Sequence, residues 1–410
     1  MNAAGGDRSI GIGQGWRGLA AMCVLGLSAV PWRAGVTIGI TAPMHRAHAA
    51  GSLLSSAALP RGTITTVGGD GAHRDSGDIL VAASRTAVGS AQPASRPVAR
   101  AAKRMTWITR PSEATMDLRG ISCPSTHKCV AVGSSGTIVT SADGGATWTS
   151  RTTGIRNELT SVSCPSVRVC VAVGTGVSLG QGISSAHVIL TTADGGATWT
   201  SKTYAGLVFL QSVSCPSTHR CVAVGDNLIQ TSADDGSTWT YRTWDNNHQV
   251  VNGVNCPSVH VCVAVGINAT IVTSADGGAT GTNRPHPLSA SHETLNAVSC
   301  ASVRACVAVG STWDSKSRQV VGIVLTSRNG GVSWARASNL AGDLSSVSCP
   351  STKRCVAVGN GGTIQESTDG GGIWRKDTVG VSILLSGISC ARVSVCVAVG
   401  EKGTILQGRS

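Results

Sequence analysis

The sequence predicts an all-β fold, a seven-bladed β-propeller of four-stranded blades. Two observations predict it. Cysteines separated by five residues and followed by Val-Ala-Val-Gly occur as seven pairs, and successive first cysteines are 41, 51, 41, 44, 49 and 41 positions apart. A repeat of roughly 40–50 residues is the length of one four-stranded blade. A second segment, Ser141-Ala-Asp-Gly-Gly-Ala-Thr-Trp148, follows six of the seven pairs. The runs between these landmarks are short and apolar, bounded by Gly, Pro, Ser and Asp, and none has a sustained helical period.

Four strands are expected in each unit. The first ends at the first cysteine, as in Thr160-Ser-Val-Ser-Cys164. The second is Cys170-Val-Ala-Val, the third is of the type Thr137 to Thr140, and the fourth starts at the tryptophan, as in Trp148-Thr-Ser-Arg-Thr. The cysteines pair as Cys123/Cys129, Cys164/Cys170, Cys215/Cys221, Cys256/Cys262, Cys300/Cys306, Cys349/Cys355 and Cys390/Cys396. Each pair brackets a hairpin between the first two strands, where opposed residues lie at bridging distance. Disulfides and an oxidising compartment follow. Zinc is the rival, with a poor ligand spacing, and buried free thiols are a third reading.

The eight-residue segment, here called the box, joins the third and fourth strands. Asp143, Asp194, Asp234, Asp276, Asn329 and Asp369 hold its third position, where a short carboxylate or amide can accept backbone N–H bonds. Glycine holds the fifth and supplies positive φ. The tryptophan is expected to pack between blades. The segment resembles the Asp-box repeat of bacterial neuraminidases, Ser-x-Asp-x-Gly-x-Thr-Trp, over residues 105–410. The Ser327 copy departs mildly, with Asn329 and Ser333, and two depart more: Gly281 replaces Trp, which predicts a looser blade 4, and Ile373 replaces Thr.

The seventh unit lacks a box and a fourth strand, because the chain ends at Gly403-Thr-Ile-Leu406-Gln-Gly-Arg-Ser. Trp107 precedes Cys123 by 16 positions, as Trp148 precedes Cys164. Thr106-Trp107-Ile-Thr-Arg110 is therefore expected to complete the last blade and close the ring.

The repeat region of about 300 residues can bury a core. With 3% aromatic residues, that core must be Val, Ala, Ile and Leu plus tryptophan. Net charge is +12, and residues 1–104 hold 11 basic and 4 acidic residues, so more than half of the excess lies before the propeller. Residues 1–50 resemble a secretory signal: Arg8 and Arg17 precede the apolar run Leu19–Val30, and Ala47-His48-Ala49 is a small-x-small cleavage pattern. An uncleaved anchor is the alternative. Cys23 is expected to be part of the apolar run. Residues 51–104, rich in Ala, Ser, Gly, Thr and Arg, read as a disordered linker.

In such a ring the cysteine hairpins and box turns share one face, and the other two loop types share the opposite face. Blade 2 inserts Gly174–His187 and blade 5 inserts Gly310–Val320, both on the second face. Variable loops on a rigid scaffold carry binding, so a ligand is expected near Trp313, Arg318, His187, Tyr204, Trp244 and Asp226. Against this stands a plain surface-insertion reading. The cysteine hairpins carry Lys128, Arg168, Arg220, Arg304 and Arg354, with His127, His219, His260, Lys353 and Arg392 beside them. They would form a ring able to attract an anionic polymer, unless they are solvated turn residues copied with the repeat.

Sialidases, through that resemblance, imply an arginine triad, a tyrosine nucleophile with a glutamate partner and an aspartate acid. The chain has two tyrosines, Tyr204 and Tyr241, few acids outside the boxes (Asp226, Glu293, Asp314 and Glu401 among them), and no sialidase arginine motif. Nothing favours Asp226 with Glu401 as a glycosidase pair. No nucleophile elbow, zinc-protease or phosphate-loop motif is present, so no catalytic residue, cofactor or metal is expected. The repeats also resemble the propeller family of photosystem II assembly and stability factors, which implies a non-catalytic binding role. The expectation is a monomeric, secreted or envelope-tethered binding or assembly module for a protein partner, with no nucleic acid. The alternative is a glycan-binding protein or degenerate glycosidase.

Overall fold

Val-Ala-Val, the apolar centre of every repeat, lies in the second strand of every blade, and each of these residues is buried. Alternate side chains of a strand point to opposite faces, so each Val-Ala-Val serves two neighbours. Val130 and Val132 pack with Leu159, Val188 and Leu190 of blade 2, whereas Ala131 packs with Val397, Val399 and Ile405 of blade 7. The same division recurs around the ring, giving seven apolar clusters, each between two blades. The small Ala leaves room on its side for the valines of the preceding blade and for the box tryptophan.

A computed structural model describes residues 103–176, 186–205, 209–226, 228–242, 244, 250–288, 293–337, 340–377 and 379–410. The signal-like segment, nearly all of the 51–104 stretch, Cys23 and most of the blade 2 insertion lie outside the described residues. Blade 1 is Leu118–Ser122, Cys129–Gly133, Ile138–Ser141 and Thr149–Arg151, all antiparallel. Blades 2 to 6 repeat this order from Glu158–Ser163, Leu210–Ser214, Val251–Asn255, Glu293–Cys300 and Leu344–Ser348. Blade 5 adds a short fifth strand, Leu340–Ala341. Among the described residues no helix is long and apolar enough to cross a membrane.

Blade 7 consists of Leu385–Arg392, Val395–Gly400 and Ile405–Arg409, and Thr106–Arg110 supplies its fourth strand, paired from Thr106↔Arg409 to Arg110↔Ile405. The closure predicted from the spacing of Trp107 is therefore present. The seam is held further upstream too: Arg104 pairs with Asp377, Arg354 donates to the Lys103 carbonyl at 3.1 Å, and the Met105 amide donates to Glu366 at 3.2 Å.

All seven cysteine pairs form disulfides, with Cα atoms 3.9–4.1 Å apart. Seven disulfides indicate an oxidising, extracytoplasmic environment. Metal and free-thiol readings are set aside. The bridges belong to the core rather than to the face of the hairpins they bracket. The second cysteine of each pair (Cys129, Cys170, Cys221, Cys262, Cys306, Cys355 and Cys396) is buried. It stands two residues before the Ala of Val-Ala-Val, so its side chain points to the same side of the strand as that Ala. Cys221 accordingly packs with Ala223 between blades 2 and 3, Cys262 with Ala264 between blades 3 and 4, and Cys396 with Ala398 between blades 6 and 7. None of these three is a surface site. Each contributes apolar packing in addition to its covalent bond.

The box turns fold as their residues suggest. In blade 1, Asp143 Oδ1 accepts from the amides of Ala146 and Thr147 at 2.9 Å each, and Ser141 Oγ accepts from the Gly145 amide at 2.8 Å. Gly145 has φ of 90°, and a Cβ there would lie 2.9 Å from Val397 of blade 7. Trp148 Nε1 donates to the Gly145 carbonyl, which fixes the ring in the cluster between blades 1 and 7.

Blade 4 is not left open, contrary to expectation. Trp244, from the connection entering blade 4, lies over Gly281 and packs in the cluster between blades 3 and 4. It fills the space that a box tryptophan fills elsewhere.

Candidate functional site

The first strands line the central channel. The residue before each first cysteine accepts a hydrogen bond from the first-cysteine amide of the next blade: Ser122 from Cys164, Ser163 from Cys215, Ser214 from Cys256, Asn255 from Cys300, Ser299 from Cys349, Ser348 from Cys390 and Ser389 from Cys123. The distances are 2.9–3.0 Å, and the circuit closes on itself. This bonding holds the channel wall rigid and sets the geometry of its mouths.

One mouth lies on the face of the blade-to-blade connections. The position four before each first cysteine faces it, and these residues border a cavity of about 410 Å3. They are Arg119, Thr160, Gln211, Asn252, Asn296, Ser345 and Ser386. Arg119 is the cation of this ring, paired with Glu158 at 3.0 Å and Asp117 at 3.7 Å. The other six are neutral donors and acceptors. Asn252 and Asn296 donate to the carbonyls of Leu295 and Leu344 of the next blade, and Ser386 Oγ is buried with no hydrogen-bond partner among the described residues. Such a rim can bind amides or hydroxyls. Of the carboxylates beside the ring, Glu158 and Asp117 pair with Arg119, and Asp343 lies 3.5 Å from Asn296 Nδ2. Sequence reading missed this ring, although its signal is visible: one position varies among polar residues while both flanks repeat.

The six residues expected on this face do not form one site. Trp313 and Arg318 belong to the long hairpin of blade 5, where Trp313 is 55% exposed and pairs with Val320. His187 is fully buried between blades 2 and 3, stacked on Tyr204 at 5.2 Å and 2.8 Å from the Gln230 amide nitrogen. Burial lowers its pKa, so it stays neutral. Trp244 is a packing residue. Asp226 forms an isolated antiparallel bridge with Val250, and burial raises its pKa.

On the opposite face each box rests on the cysteine hairpin of its own blade; the Gly144 amide, for example, donates to the His127 carbonyl at 2.7 Å. Arg168, Arg220 and Arg304 are exposed there. Lys128 is half-buried beside the blade 2 box; burial and Arg151 lower its pKa. Arg354 does not join them. It is buried and donates to Glu366 at 2.7 Å. The box aspartates share this face, and in blade 3 Asp235 pairs with His219 at 2.8 Å. The charge is therefore mixed around the ring.

No protein-family model matches the chain, and no curated protein matches its sequence. Solved structures do. YCF48 bound to D1 peptide superposes with a TM-score of 0.58 and 18% identity, over 74% of this chain and 97% of that one. YCF48 from Cyanidioschyzon merolae gives 0.57 and 16%, over 74% and 98%. The GH74 xyloglucanase from Xanthomonas campestris gives 0.54 and 12%, over 73% of this chain and 53% of that one. These likenesses show the fold. At such identities they carry no residue roles across.

Proposed function

We propose that this protein is a non-catalytic extracytoplasmic module that binds an extended segment of a protein partner across the channel mouth bordered by Arg119, Gln211 and Ser386. The ring of neutral hydrogen-bonding side chains carries this reading. An extended chain presents amides and carbonyls at regular intervals, and a rigid rim of amides and hydroxyls complements them with little ordering cost. Arg119 would meet a carboxylate of the segment. That a YCF48 propeller was captured with a peptide supports the choice of a polypeptide. On this reading residues 1–50 direct secretion or anchor the chain, and the following stretch is a tether.

The test is binding of the oxidised protein to an array of linear peptides and to a glycan array. Retention of peptides, lost in Gln211→Ala and Ser386→Ala without a change in melting temperature, is the expected result. Retention of glycans alone would move the assignment to carbohydrate recognition, the second reading, which the likeness to a xyloglucanase propeller favours.

A further inference from the structure

The box of blade 5 differs from the others in its charge. It reads Ser327-Arg-Asn-Gly-Gly-Val-Ser-Trp334, with Arg328 where the other copies have Ala or Thr and Asn329 where they have Asp. The two adjacent changes each raise the net charge by one, the first by adding a cation and the second by removing a carboxylate. The turn does not need the lost carboxylate. Asn329 Oδ1 accepts from the Ser333 amide at 3.0 Å and Nδ2 donates to Ser333 Oγ at 2.8 Å. The departure is thus neutral for the fold and changes only the field above it.

That field points into a cleft of about 620 Å3 between blades 5 and 6, bordered by Arg304, Arg328 and Lys353. All three cations are exposed, and among the described residues none has an acid within ion-pairing distance. The carboxylate in the lining, Asp369, already accepts from Ser367 Oγ and the amides of Gly372 and Ile373. The floor is apolar, with Ala301, Ala305 and Val307. The corresponding groove between blades 2 and 3 keeps Arg168 in the place of Arg304, but has Ala193 in the place of Arg328 and His219, paired with Asp235, in the place of Lys353. Three cations thus border this cleft, where the groove between blades 2 and 3 has Arg168 and a histidine already paired with an acid.

We propose that the cleft between blades 5 and 6 binds a phosphate or sulfate monoester through Arg304, Arg328 and Lys353. Two guanidinium forks can each meet two oxygens of such a group, and a lysine adds a point charge. The apolar floor receives the body that carries the ester. This site is independent of the channel mouth on the other face.

The test is calorimetric titration of the full oxidised chain with glucose 6-phosphate, glucose 6-sulfate and inorganic phosphate at constant ionic strength. The double variant Arg328→Ala, Asn329→Asp restores the pattern of the other boxes and should fold as they do. At least one ester is expected to bind. Its affinity should fall at least about tenfold in the double variant and stay unchanged in Arg168→Ala, which removes a cation of the same face in another blade. The two esters distinguish phosphate from sulfate. No ester binding, or binding of inorganic phosphate alone, would overturn the proposal. Equal losses in both variants would do so too, since they indicate diffuse surface charge.

Discussion

Gly281 has no side chain where five other boxes place a tryptophan, and Trp244 occupies the space. A Cβ at 281 would lie 2.7 Å from the Trp244 ring and 2.8 Å from Val272. Gly281→Ala is therefore expected to destabilise by about 1–3 kcal/mol through overpacking, and to do so less in a Trp244→Ala background, since contacting residues couple. Additive losses in a melting series would show that the two residues do not compete for one space. Glu366 is the second residue with a consequence of its own. Burial, and then the hydrogen bond and charge of Asp377, push its pKa up to about 7 against an ordinary 4.5, with Arg354 opposing. The folded state then holds a proton that the unfolded state has released, so stability is full below the unfolded value and declines as pH rises through 7. Glu366→Gln cannot ionise. Chemical denaturation at about pH 5 and about pH 8 should show the wild type losing on the order of 2 kcal/mol at this site and the variant much less. The boxes behave in the opposite way. Partial burial raises Asp143, but the Thr147 hydroxyl and amide and the Ser141 hydroxyl outweigh it and leave its pKa at about 2, so that contribution is lost only in strong acid.

At the scale of the strand, side chains supply bonds that backbone ladders cannot, because first strands of neighbouring blades face each other without sheet pairing. Ser163 Oγ accepts from the Cys215 amide at 3.0 Å. Removing it in Ser163→Ala leaves that donor unpaired, at a cost of about 1–2 kcal/mol. Asn255→Ser restores the commoner acceptor and should cost little. A thermal melt of both variants checks this; equal losses would mean that the circuit is incidental to stability. Much of the element level was legible. The second strands start at their cysteines or, in blade 7, one residue before. In blade 1 the fourth strand starts at Thr149, one residue past the expected tryptophan, and in blade 6 at Trp374 itself. The serine circuit was not legible, since Val-Ser-Cys reads as ordinary strand until two blades are placed side by side.

The whole ring depends on a join between distant parts of the chain. Thr106–Arg110 pairs with Ile405–Arg409, Trp107 packs in the cluster between blades 6 and 7 and donates to Asp377 at 3.2 Å, and Arg104 and Arg354 bind across the seam. Deleting residues 103–110 exposes both the edge strand of blade 7 and the last inter-blade cluster. Such a truncation should lower the melting temperature sharply and broaden the transition, as repeat arrays do when coupling between units is lost. An unchanged melt would mean that the six complete blades are stable without closure.

Sequence alone determined what repeats: the number of blades, the box turns, the disulfide pairs and the strand that closes the ring. Each follows from local chemistry copied at a constant spacing. Only the tertiary structure decided what the exceptions do. Trp244, read as a ligand contact, is a core residue because it lies above Gly281. Arg354, read as surface charge, is buried against Glu366. The polar rim of Arg119, Gln211 and Ser386 becomes one surface only when seven first strands converge on the channel. The physical reason is common to all three. A repeat pattern specifies contacts within a blade and between adjacent copies, whereas a residue that departs from it takes its role from whatever the ring brings beside it.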